Sequence, residues 1–185
     1  MDSMLPVLKH QRHLTRFKDT DSADSMVDNI IAHAEDMIVR EGSINPAGFI
    51  LTKEEVLILP FNFQTPEDKD TASTALEVLA NQLDTVGVAF VAESWLGSYS
   101  KKEQVPTSVK DDPNRKEVII ATASWAGSNT AMRVSFITRD ENEEIVGLVR
   151  DDNYMNECDE IAGRFMVQWD NSDDNTTDGI FGLER

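Results

Sequence analysis

The sequence predicts an α+β domain. Five or six mainly antiparallel strands carry two helices packed on one face, in the order α-β-β-α-β-β-β-β. Three observations lead there. Val27, Ile30, Ile31, Ala34, Met37 and Ile38 recur at helical spacing, as do Ala72, Ala75, Leu76, Leu79, Ala80 and Leu83. Short apolar runs bounded by turn residues lie between and after these stripes. Two of the runs, Met132–Thr138 and Glu144–Arg150, flank Asp140-Glu141-Asn142 as a hairpin would.

The first helix is expected to start near Ser22–Ser25. Ser25 and Asp28 have the form of a capping box, with Asp in place of Glu, and Gly42 is a natural stop. Pro46 opens a hairpin of Ala47–Leu51 and Val56–Leu59 around Thr52-Lys53-Glu54-Glu55. Its second strand is apolar throughout, which predicts a central strand buried on both faces. The second helix has the clearest start in the chain. Thr65 is the N-cap, Pro66 the first helical residue, and Glu67 and Asp68 suit the positive helix end. Gly87 is read as its C-cap. Val88–Trp95 and Glu117–Trp125 are strands that each end in tryptophan. In the next strand Met132, Val134, Phe136 and Thr138 alternate, as in a sheet with one covered face. Residues 159–169 hold a last apolar patch of undecided type.

Residues 1–20 are expected to be a basic flexible arm, 21–169 a single domain, and 170–185 an acidic, disordered tail. Residues 1–18 carry Lys9, Arg12, Arg16 and Lys18 against Asp2, whereas the whole chain has 34 acidic and 17 basic residues, net charge −17. That surplus argues against direct nucleic-acid binding and against anionic membranes. No apolar run is long enough to span a bilayer, and the first residues lack a secretory h-region. With a single cysteine, Cys158, the expected compartment is the cytoplasm.

Between the two tryptophan-ended strands runs a polar loop of about 20 residues, a length that in a compact domain is usually functional or disordered. Glu93, Asp111, Asp112 and Glu117 could converge at the sheet end, where carboxylates can bind a divalent ion or act as acid and base. Read as a plain turn, Asp112-Pro113-Asn114-Arg115 would instead be clasped by its own acid and arginine. A nuclease pattern of Glu-x-Lys fails, because Val118 and Ile119 follow Glu117. Trp95, Tyr99, Lys101, Lys102, Arg115 and Trp125 are the candidate binding residues. Tryptophan and arginine are the side chains that dominate binding hot spots.

Glu93-Ser94-Trp95, a loop with Pro106, and then Asp112-Pro113-Asn114-Arg115-Lys116-Glu117-Val118 resemble a pattern in small uncharacterised bacterial and phage proteins. It has the form Glu-x-Trp followed by Asp-Pro-x-Arg-x-Glu before an apolar strand. The resemblance covers about a sixth of the chain, in keeping with a strand–loop–strand unit. It implies a phage or mobile-element origin and no catalytic role.

Other chemistry is weaker. His10 and His13 lack a third ligand, and the calcium-loop-like run from Asp174 to Gly179 has Arg185 where a bidentate Glu belongs. Glu157, Asp159 and Glu160 surround Cys158 and disfavour its thiolate. No cofactor or metal is expected. The preferred reading is a non-enzymatic acidic interaction protein, such as a phage-encoded inhibitor or DNA mimic directed at a host protein. One alternative is a metal-dependent hydrolase using the loop carboxylates. Another is an assembly protein that self-associates through its basic arm.

Overall fold

A computed structural model describes residues 9–11, 17, 19–97, 112–126 and 130–151. In chain order the elements are β1 (Lys9–Gln11), α1 (Ala23–Glu41), β2 (Ala47–Thr52), β3 (Val56–Pro60), α2 (Pro66–Gln82), β4 (Thr85–Leu96), β5 (Lys116–Trp125), β6 (Thr130–Arg139) and β7 (Ile145–Asp151). Among the described residues, seven strands form one sheet in the order β1-β3-β2-β4-β5-β6-β7, every neighbouring pair antiparallel. The class and rough order are those the sequence predicts. The seventh strand is β1, a three-residue addition to the β3 edge. The patch at 159–169 and the tail at 170–185 lie outside the described residues.

The helices do not share a face. Side chains alternate along a strand, and directly opposed residues on neighbouring strands share a side. Phe49 opposes Ile58 in β3 and Ala89 in β4, and it packs with Met26, Val27, Ile30, Ile31 and Ile38 of α1. Ile50 opposes Leu57 and Val88, and it packs with Leu76 and Ala80 of α2. α1 and α2 therefore cover opposite faces, correcting the one-face arrangement. The cause is in β2, β3 and β4, which are apolar at both parities and need cover on both sides. That is also why β3 is buried on both faces while standing second from the sheet edge; β4 holds the centre. β6 departs from the one-face pattern as well. Ala131 and Ile137 face α1, and Val134, on the other side, is equally buried.

The helix ends follow local chemistry. Ser22, not Ser25, is the N-cap of α1. Its Oγ accepts from the Ser25 amide, while Ser25 Oγ accepts from the Ser22 amide. Asp28 is left to serve the sheet. Gly42 ends α1 at φ 79°, in the left-handed region where glycine carries no steric penalty. Thr65 and Asp68 form the capping box of α2, and the two amides donated to Asp68 Oδ2, from Gln64 and Thr65, hold its carboxyl below the usual range. Gly87 is not the α2 cap; Leu83 is. Gly87 sits in β4, where a Cβ would come within 2.8 Å of the Trp125 ring and 2.9 Å of Met26 Sδ. Glycine is needed there for a close approach of backbone to side chains.

Candidate functional site

β4 and β5 pair in one unbroken register from Gly87 opposite Trp125 to Leu96 opposite Lys116. Within it Glu93 opposes Ile119, and Trp95 opposes Glu117. Alternation then puts Glu93, Trp95 and Glu117 on the α1 side, at the end where α1 stops. The next strand supplies Arg139, two residues after Ile137 on the same side.

Arg139 organises this corner. Its Nε lies 3.0 and 2.9 Å from the two Glu117 carboxylate oxygens, and its Nη2 lies 2.8 Å from Glu117 Oε1. Nη2 also donates to the Gly42 carbonyl oxygen at 3.1 Å, and Nη1 to the Glu143 carbonyl oxygen at 3.1 Å. Glu93 completes the group. Its Oε1 accepts from the Ile44 amide, and its Oε2 is 3.9 Å from Arg139 Nη2. One guanidinium thus ties β5 and β6 to the end of α1 and to the β6–β7 turn, and Glu93 ties β4 to the segment entering β2. The hydrogen bond to Glu117 holds the Arg139 charge in place and raises its pKa. Burial pushes the Glu93 carboxyl up and the Glu117 charge adds to this, while the Ile44 amide and Arg139 oppose it.

Beside this corner, Trp95 is 43% exposed, and the Arg115 guanidinium carbon lies 4.5 Å from its ring centroid. That is a cation–π distance. The turn feeding Arg115 is built locally. Asp112 Oδ1 accepts from the Asn114 amide at 2.7 Å, and the Asp112 carbonyl accepts from the Arg115 amide at 3.2 Å and from Arg115 Nη1 at 3.1 Å. This is an Asx-type turn. Arg115 therefore bonds to the Asp112 main chain and stacks on Trp95.

The candidates fall into three groups. Glu93, Trp95, Arg115 and Glu117 come together at one sheet end, with Asp112 in the adjoining turn. Trp125 is at the other end of the same strand pair, about 27 Å along β5 from Glu117 at strand rise. There it packs half-buried against the α1 core. Tyr99, Lys101, Lys102 and Asp111 lie outside the described residues. Arg139 is absent from the sequence-based set. Its signal was parity: Arg133 and Arg139 fall on the same side of β6 as Ala131 and Ile137.

Arg133 and Arg150 show the same use of arginine. Arg133 donates to Asp28 at 2.8 Å and to Asp24 at 2.9 Å, and Arg150 Nε donates to Glu35 at 3.1 Å. Burial disfavours the Arg133 charge, but Asp24 and Asp28 outweigh it and its pKa rises. Acids of α1 are thus matched by arginines from β6 and β7.

Among the described residues, no three His, Cys, Asp or Glu side chains are placed to hold a metal ion. No described helix is long and apolar enough to cross a membrane. Comparison with family models, curated proteins and solved structures found no match.

Proposed function

We propose that this chain is a non-enzymatic acidic interaction protein that binds a protein partner through the sheet end at Trp95 and Arg115. The observation that carries this reading is the half-exposed Trp95 with Arg115 stacked on it. A rigid aromatic on a strand, backed by an arginine, costs little conformational entropy to bury and is the usual composition of a binding hot spot. The acidic surplus of the whole chain favours a partner with a basic surface and fast, salt-sensitive association. A host protein whose own ligand is nucleic acid has such a surface, so an inhibitor or DNA mimic of phage origin is the concrete form. The single cysteine fits a cytoplasmic setting.

The hydrolase alternative needs carboxylates that can take up an ion or a proton in the reaction. Both oxygens of Glu117 are within hydrogen-bond distance of Arg139, and Glu93 accepts from a main-chain amide. This use of the carboxylates supports binding over hydrolysis.

A pull-down from host lysate across a salt series tests the proposal. Expected is a partner captured at low salt, released as salt rises, and lost at least tenfold with Trp95→Ala. No partner at low salt, or equal capture by Trp95→Ala, overturns it. Calorimetric titration with magnesium, manganese and calcium tests the alternative. Binding below millimolar that disappears in Glu93→Gln would replace the interaction reading with the hydrolase.

A further inference from the structure

We propose that the face of β5 and β6 turned away from α1 is covered by this chain's own segment at 152–169. α1 packs on the other side of β5 and β6. α2 packs over β2, β3 and β4. This leaves Val118, Ile120, Thr122, Val134 and Phe136 on a half-face that neither described helix reaches. Their registers place them together: Val118 opposes Phe136, Ile120 opposes Val134, and Thr122 opposes Met132.

Three of these residues are nonetheless shut off from water, while Ile120 and Phe136 are half-buried. Val118 is 0% exposed, Val134 1% and Thr122 6%. Lateral neighbours in a sheet cannot bury a side chain that stands perpendicular to it; a second layer is needed. The Thr122 hydroxyl has no hydrogen-bond partner, which fits an apolar cover.

The choice of occupant follows from place and composition. Residues 1–8 adjoin β1, at the opposite edge of the sheet. Residues 12–16 lead to Phe17, which packs on Phe49 on the α1 side. Residues 98–111 carry Tyr99, Val105 and Val109 but no regularly spaced apolar set, and are otherwise mostly polar, with Lys101, Lys102, Glu103, Gln104, Lys110 and Asp111; 127–129 are only Gly-Ser-Asn. The segment at 152–169 starts where β7 ends, and Asp151 opposes Val134 on the face in question. It carries Ile161, Phe165 and Trp169 at four-residue spacing, which puts all three on one side of either a helix or a strand.

The test uses the full chain with Trp95→Phe and Trp125→Phe, so that Trp169 alone reports. Expected is blue-shifted emission, poorly quenched by iodide and independent of concentration. Val149 opposes Phe136 on this face and is 63% exposed, so Val149→Asp can be introduced at the rim without opening the core. It should shift Trp169 emission to the red and raise quenching several-fold with an unchanged circular dichroism spectrum. In the chain with its native tryptophans, Ile161→Asp should raise binding of an apolar dye several-fold. Solvent-like Trp169 emission, indifference to Val149→Asp, or no rise in dye binding overturns the proposal. A blue shift lost on dilution also overturns it, because a second copy would then be the cover.

Discussion

Arg139 fastens residues that are far apart in sequence. Its side chain is 17% exposed and that of Glu117 18%. Removing one partner of such a pair leaves the other charge poorly solvated. Arg139→Ala should therefore cost about 2–3 kcal/mol in denaturant unfolding, somewhat below the range for fully buried pairs. Arg139→Lys should recover little of that, because a point charge cannot span both Glu117 oxygens and two carbonyls. The Glu93 carboxyl makes a second, pH-dependent prediction. Its folded pKa is raised, so the folded state binds the proton more tightly than the unfolded state. Between the two values stability falls as pH rises, and the contribution is fully lost once pH exceeds the folded pKa. Glu93→Gln should flatten this part of the stability–pH curve just above the ordinary glutamate range. Urea midpoints measured at a series of pH values check it. Glu93, Trp95, Arg115 and Glu117 were legible in the sequence because they sit at strand ends beside a long loop. Arg139 was not. Strand parity puts it on the Ile137 side of β6, but nothing local says that it meets a glutamate two strand positions away in space and 22 residues away in sequence.

The two helices are anchored unequally. α1 buries Met26, Val27, Ile30, Ile31 and Ile38 and adds Arg133 and Arg150 contacts through Asp24, Asp28 and Glu35. Among its described side chains, α2 buries only Ala72, Leu76 and Ala80. Local opening free energy follows buried contact. Native-state hydrogen exchange should show α2 amides opening well below the free energy at which the α1 and β4 amides open. Thr65→Ala should remove about 1 kcal/mol, the usual value of an N-cap, and chiefly from α2 opening. At this scale the sequence was informative. Thr65-Pro66 and Gly42 are local signals, and local chemistry fixes helix ends. The errors, Ser25 for Ser22 and Gly87 as a cap, have one origin. Ser22 and Ser25 can each be either member of a box by type, and Gly87 is a glycine for reasons that lie in Trp125 and Met26.

For the molecule as a whole, net charge −17 is spread over a modest surface. Like charges within a Debye length of each other, about 10 Å at 0.1 M salt, repel in the compact state. Raising salt from 20 mM to 500 mM sodium chloride should therefore raise Tm by several degrees, on the order expected for about 1 kcal/mol. The same salt should weaken capture of a basic partner. A scan showing no change in Tm would mean that the arginines of β6 and β7 already neutralise the acids that matter. Composition and periodicity by themselves determined the acidic character, the α+β class, the positions of both helices and of β2 to β7, and the hairpin turns, because each depends on residues close in sequence; β1, within the expected arm, has no such local signal. The tertiary structure decided which side each helix covers, that Trp95 and Trp125 stand at opposite ends of one strand pair, and that Glu93 and Glu117 meet an arginine. Those outcomes depend on strand register, and register is set by contacts between residues that only the folded chain brings together.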